Sequence, residues 1–239
     1  MTPFSLPSFA LLQQQAEWLA PARARLLRRA EIARRRYVLD LGCGSGAVTG
    51  ELVRRCGGRV VAMDCHRPAL ANQAALPTGA RLVCGDAGKL PFGPATFDLV
   101  FAQFTLLWLD AAAALDEIRR VLQPGGVLAA IEPDYGGMIE HPPEIATRDL
   151  WLAGLSRAGA DPLLGRKLPG LLAAAGFRAR IDLLDHLAAP SPARFDLLGE
   201  LPLSESERTH LAEIASADAR LDDPAKVAHL PMLLVTAVR

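Results

Sequence analysis

The sequence predicts a single α/β domain built on a mostly parallel sheet with helices on both faces, and three observations carry this. From Tyr37 to Glu132, short runs rich in Val, Leu and Phe alternate with Ala/Leu/Arg stretches of helical spacing, the pattern of successive β-α-β units. The runs are apolar throughout rather than alternately polar, as strands covered on both faces require. One of them opens directly into a glycine-rich loop ahead of a helix.

The elements follow in order. Residues 11–36 read as helix, with Trp18, Leu19, Ala22, Leu26 and Ala30 at roughly helical spacing, placed to cap the sheet edge. Five strands are expected at 37–41, 59–64, 80–84, 97–103 and 127–132. Between them lie helices at 47–55, at 68–75 with Pro68 in the first turn, and at 110–122, closed by Gln123-Pro124-Gly125-Gly126. Right-handed crossovers set the hand of such a sheet, and ligands bind outside the carboxyl ends of its strands, where strand order reverses. Beyond the Pro-rich turn His141-Pro142-Pro143, helical patterns cover 144–157 and 167–175, with Gly176 closing the second. The last two strands are expected at 177–187 and 232–238, separated by a helical insertion. This divides the chain into an N-terminal helical cap (1–36), a core (37–190), an insertion suited to a substrate lid (191–228) and a final core strand (229–239).

Composition narrows the partners. The 239 residues are 51% hydrophobic, enough for one full core, and 26 acidic residues balance 26 basic ones. No overall field draws the chain to nucleic acid or anionic lipid. Arg23, Arg25, Arg28, Arg29, Arg34, Arg35 and Arg36 form a basic run, but arginine outnumbers lysine throughout, and the run reads as a solvated helix face. The four cysteines form no CxxC pair, which suits reduced thiols. The start of the chain shows no basic leader with an apolar core, and no apolar run reaches a membrane span, so a cytoplasmic protein without membrane insertion is expected. The acidic residues show no metal-ligand spacing, and no metal is expected.

Val38-Leu39-Asp40-Leu41-Gly42-Cys43-Gly44-Ser45-Gly46 sets three glycines between a strand and a helix, where missing Cβ atoms let the backbone approach a ligand. Read through Ala47, the loop also satisfies the dinucleotide pattern GxGxxG/A, with Asp64 near the right distance for a ribose. By itself the loop fits either cofactor class. Four further features extend it: Asp64 ending the second strand, Gly85-Asp86-Ala87 after the third, Phe97-Asp98-Leu99-Val100 opening the fourth, and Leu122-Gln123-Pro124-Gly125-Gly126 before the fifth.

With Asp40 two residues ahead of Gly42, this series resembles the class I methyltransferases that use S-adenosylmethionine (SAM), particularly the small-molecule group that includes the ubiquinone and menaquinone C-methyltransferases. The resemblance spans about residues 37–132. It implies a Rossmann-like, mostly parallel seven-stranded sheet, SAM as cofactor and a small, partly apolar acceptor. It further implies that Asp40 helps position the amino group at the methionine end, with Gly42, Cys43, Gly44 and Gly46 forming the loop. Asp64 would take the two ribose hydroxyls, since one carboxylate accepts several hydrogen bonds. Asp86 would accept from the adenine amino group, the backbone of Ala87 would meet a ring nitrogen, Cys65 or His66 would flank the adenine, and Gln103 would border the methionyl moiety.

For the acceptor side the candidates follow the fifth strand. His141 has the near-neutral titration of a general base, Asp134 and Tyr135 are placed to orient an acceptor, and Gly136-Gly137 permits a hinge. Trp108, after the fourth strand, is a candidate wall of the acceptor pocket or a core residue.

Overall fold

The structure, a computed structural model, describes residues 8–71, 79–184, 191 and 193–239. In chain order the elements are α1 (Phe9–Trp18), α2 (Ala20–Arg29), β1 (Tyr37–Leu41), α3 (Thr49–Arg55), β2 (Arg59–Asp64), α4 (Arg67–Ala71), β3 (Ala80–Cys84), β4 (Phe97–Gln103), α5 (Ala111–Val121) and β5 (Leu122–Pro133). There follow β6 (Ile139–His141), α6 (Arg148–Ala158), α7 (Leu164–Ala174), β7 (Arg178–Leu183), α8 (Ala193–Gly199), α9 (Glu205–Asp218), β8 (Val227–His229) and β9 (Met232–Val238). The ends of the helix expected at 68–75 and of the strand expected at 177–187 lie outside the described residues.

Seven strands form one sheet in the order β3-β2-β1-β4-β5-β9-β7. The pairs β1–β2, β2–β3, β1–β4 and β4–β5 are parallel, whereas β9 runs antiparallel to both β5 and β7. From β1 the chain builds outward through β2 and β3, then returns to place β4 on the other side of β1. The order therefore reverses between β1 and β4, and their carboxyl ends flank a crevice.

Burial on both faces explains the apolar strands. Within β5, Leu128 and Ala130 join the core shared with α5, α6, α7, α8 and α9, while Val127, Ala129 and Ile131 join the core built with α2 and α3. The segment between β7 and β9 belongs to the first of these cores: Leu198, Leu201, Leu203, Leu211 and Ile214 are all buried in it. Ser204 and Glu207 close a reciprocal capping box that starts α9.

Three features differ from the sequence expectations. The N-terminal helix is two helices that meet at Leu19, because Pro21 has no N–H to donate and is accommodated only in a first turn. The Pro-Gly-Gly breaker falls inside β5: Leu122 pairs with Phe97, and regular pairing resumes at Val127 opposite Leu99 after a register shift. A two-stranded sheet, β6 with β8, ties the loop after β5 to the end of the insertion. Strands of three residues are too short to show periodicity in sequence.

The arginine run is divided: Arg28, Arg34 and Arg36 are exposed, as a solvated face requires, whereas Arg23, Arg29 and Arg35 tie elements together. Arg23 is 4% exposed; its Nε donates to Glu51 Oε2 on α3 (2.7 Å), and its Nη1 reaches Ala16 O on α1 (2.8 Å) and Gln103 Oε1 at the end of β4 (3.1 Å). Arg29 pairs with Asp182, and Arg35 donates to the Ala30 and Asp98 carbonyls. Removing one partner of a buried charge network leaves the rest uncompensated. Arg23→Met should lower unfolding free energy by about 3 kcal/mol, read as a shifted urea midpoint at constant slope; a loss within the error of the titration would contradict the anchoring role.

Candidate active site

The loop after β1 sits at the crevice. Gly42, Gly44 and Gly46 adopt φ of 70°, 52° and 85°, the left-handed region that disfavours side chains. At Gly42 a Cβ would also fall 2.3 Å from Thr105 Cγ2, so this position excludes any side chain on two grounds. The loop is held to the neighbouring strand by backbone and carboxylate together. Gly42 N–H and Cys43 N–H donate to Met63 O at 2.8 and 3.1 Å. Asp64, the last residue of β2, accepts from Gly44 N–H through Oδ2 (2.8 Å) and from His66 N–H through Oδ1 (2.8 Å). Each carboxylate oxygen keeps a further lone pair for a ligand.

Asp40 lies beneath the loop, 3% exposed, and its Oδ2 accepts from Thr49 Oγ1 at 2.6 Å. Burial, with a smaller push from Asp64, raises its pKa to about 6 against the Thr49 hydrogen bond and the Arg23 charge. Burial and the same two carboxylates push the Cys43 thiol well above its ordinary range, which leaves it an unreactive thiol.

On the other side of the crevice the chain leaves β4 through Gln103 and turns sharply at Phe104, which holds a φ of 53° unusual for a non-glycine residue. Glu132, near the end of β5, secures that turn: its Oε1 accepts from Thr105 N–H (2.9 Å) and Leu106 N–H (2.8 Å). It is fully buried, its Oε2 is without a hydrogen-bond partner among the described residues, and burial raises its pKa to about 7. Sequence reasoning passed over Glu132; the available signal was an acidic residue inside an otherwise apolar strand.

These elements enclose a cavity of about 390 Å³, within the range of small-molecule pockets. Asp40, Gly42, Cys43, Gly44, Asp64, Cys65, His66, Asp86, Ala87 and Gln103 all line it; of the cofactor residues named from sequence, Gly46 does not, and instead bonds back to Cys43 O within the loop. Asp86 is exposed at the rim and accepts from Gly88 N–H through Oδ1 (2.8 Å). Among the described lining residues there is no lysine or arginine.

Of the acceptor candidates, Trp108 and Tyr135 line this cavity. Tyr135 is buried with its ring tilted 31° against Trp151 at 5.0 Å, and burial plus the nearby Glu132 hold its hydroxyl well above the usual tyrosine range. Asp134 is turned away from the cavity: both its carboxylate oxygens accept from Arg166 Nε, at 2.9 and 3.0 Å. His141 lies exposed on β6 and lines no cavity described here, because β6 pairs with β8 at the surface. A second chamber of about 180 Å³ adjoins the first, sharing Gln15, Phe104, Tyr135, Trp151 and Leu197 with it.

Residues 39–130 match the methyltransferase domain family. The chain is similar to an uncharacterized methyltransferase of Mycobacterium bovis, 36% identical over 137 residues that make up 56% of this chain and 51% of that protein. It thus spans about half the length of the curated relatives it matches first. Among solved structures it resembles an S-adenosylmethionine dependent methyltransferase from Mesorhizobium loti, with 23% identity, a TM-score of 0.57 and coverage of 92% of this chain and 97% of that one. It also resembles the [4+2]-cyclase SpnF, with 20% identity, a TM-score of 0.61 and coverage of 92% and 80%. The fold is the Rossmann-like methyltransferase fold.

Two fully buried carboxylates with raised pKa set the ligand-free protein's pH response. An acid whose folded pKa lies above its unfolded value contributes stability below the unfolded pKa and loses it as pH rises through the folded one. For Asp40 that window runs from 3.8 to about 6, and for Glu132 from 4.5 to about 7. Thermal melts without ligand should therefore show stability falling between pH 4 and pH 8. Asp40→Asn and Glu132→Gln should each flatten the fall, by up to about 3 kcal/mol per site; wild-type and variant curves of the same slope would refute the assignment.

Proposed function

We propose that the protein is an S-adenosylmethionine-dependent methyltransferase acting on a small, partly apolar metabolite. The observation that carries this reading is the charge of the cavity. Asp40, Asp64 and Asp86 line it and no lysine or arginine does, among the described residues. Such a pocket favours a ligand bearing an ammonium and a sulfonium, and it disfavours the pyrophosphate of a dinucleotide. The match of residues 39–130 to the methyltransferase domain family supports the same choice.

The residues fit the cofactor. Asp40, beneath the loop, would have its raised pKa drawn back down by a cationic amino group, which holds it in the charged form. Asp64 offers its remaining lone pairs to a ribose diol, and Asp86 with the backbone of Ala87 offers an acceptor and a donor to an adenine edge flanked by Cys65 or His66. Arg23 binds the Gln103 carbonyl oxygen and so leaves the amide N–H groups for the methionyl carboxylate. When bound, SAM supplies a methyl carbon on sulfur that passes in line to a nucleophile, with S-adenosylhomocysteine as the leaving thioether.

The chain's own contribution is alignment and exclusion of water. Trp108, Tyr135 and Trp151 wall the acceptor side, while Leu12 and Gln15 of α1 and Leu197 of α8 cover it. Tyr135, held protonated, donates or accepts a hydrogen bond and takes no proton. Among the described lining residues the only imidazole of the main cavity is His66, beside Asp64 on the cofactor side. An acceptor that is already nucleophilic, a neutral amine or an ionised group, needs no base from this wall.

Calorimetry with SAM and with NAD tests the cofactor. SAM should bind and NAD should not, and Asp64→Ala should weaken SAM about tenfold or more through two lost hydrogen bonds to a charged group; undiminished SAM binding in that variant would remove the ribose assignment. Release of S-adenosylhomocysteine with an acceptor panel tests turnover, and tight SAM binding with no product across it would favour a SAM-binding module over an enzyme.

A further inference from the structure

The second chamber is not accounted for by the cofactor. Its wall is largely apolar, with Trp18, Met138, Leu184 and Leu230 facing in, and among the described residues lining it there is no carboxylate. It does contain two basic side chains, the guanidinium of Arg194 on α8 and the imidazole of His229 on β8. The Arg194 side chain is 12% exposed. Its Nη2 donates to Asp218 Oδ1 at 2.7 Å, but Nε and Nη1 are buried and have no hydrogen-bond partner among the described residues. One face of the guanidinium lies over the Phe195 ring, 4.6 Å from its centroid.

Asp218 does not neutralise Arg194 alone. Lys226, 8% exposed, sets its Nζ 3.3 Å from Asp218 Oδ2, so two buried cations share one buried carboxylate. Lys226 also reaches Asp223 at 3.4 Å, but that carboxylate is 69% exposed and its attraction is screened by water. Arg194, Lys226 and Asp218 together carry one excess positive charge beside an apolar chamber, and Nε and Nη1 are enclosed, so an anion in the chamber meets them once the Arg194 side chain turns toward it. A buried donor left unpaired is costly, more so on a charged group, and an anion entering the chamber would relieve that cost.

We infer that the inner chamber holds the carboxylate of an amphipathic monocarboxylic acid, bound by Arg194, with the acid's apolar body directed past Phe104 and Tyr135 toward the main cavity. This rests on the methyltransferase reading only in naming that acid as the methyl acceptor. A carboxylate matches the single excess charge, whereas a phosphate monoester brings nearly two. Arg194 lines the inner chamber and not the cavity that contains the glycine loop. The carboxylate is accordingly an anchor, and methylation falls on a group further along the molecule.

Titration calorimetry with octanoate and octan-1-ol, run without and with S-adenosylhomocysteine, tests the inference. Wild type should prefer octanoate roughly tenfold or more, the worth of a charge-assisted hydrogen bond, and Arg194→Met should lose that preference with octan-1-ol affinity unchanged. Equal affinity for the two probes in wild type, or a preference that survives in Arg194→Met, overturns it, and so does tighter binding of octyl phosphate than of octanoate. Should Arg194→Met fail to fold, Arg194→Lys keeps the charge and shortens the reach: weakened octanoate binding supports the site and unchanged binding overturns it. Failure of SAM to bind while octanoate binds would sink the methyltransferase reading and leave this site standing.

Discussion

Asp40 is buried beneath the glycine loop against its own electrostatic interest, and the surrounding elements are arranged to keep it there. Thr49 on α3 supplies a hydrogen bond, Arg23 a distant charge, and Asp64 a repulsion that adds to the cost of burial. A carboxylate in that setting holds its proton more tightly than usual and becomes a strong receptor for a cation. The cost of burying it here is the kind of trade expected at functional sites.

The same division between support and function runs around the crevice. Asp64 fastens the loop through Gly44 and His66 while keeping lone pairs free. Glu132 fastens the opposite side by holding the turn after Phe104, and it does so through backbone N–H groups, which makes the geometry independent of neighbouring side chains. Arg23 joins both to the N-terminal helices. Its reach to Gln103 means that α1 and α2 are part of the pocket wall, not a detached cap. The segment between β7 and β9 is similarly committed: its leucines lie in the main core while Arg194 and Leu197 face the second chamber.

Much of this was legible in the sequence. Strands β1, β2, β4 and β9 fall where apolar runs of strand length predict them, because each is largely buried within the sheet, and β3, an edge strand without a buried residue, was legible from its β-rich run and flanking turns. The crevice-lining residues expected to hold a cofactor were legible for a related reason: they sit at strand ends and in loops that directly follow, so their spacing along the chain reflects their spacing at the crevice. The acceptor side was not. Tyr135 and Trp108 reach the cavity, yet His141 and Asp134, from the same stretch as Tyr135, do not. Whether a loop residue faces inward depends on what its loop packs against, here β8 for His141 and Arg166 for Asp134.

The sequence by itself determined the glycine loop, the order of acidic strand ends and the alternation that builds the sheet, since these are properties of local conformation and short-range spacing. Only the tertiary structure decided that Arg23 is buried, that Glu132 holds the turn after β4, and that Arg194 lies beside the second chamber with two unpaired N–H groups. Each depends on contacts between elements distant along the chain, and neither periodicity nor spacing encodes which of them meet.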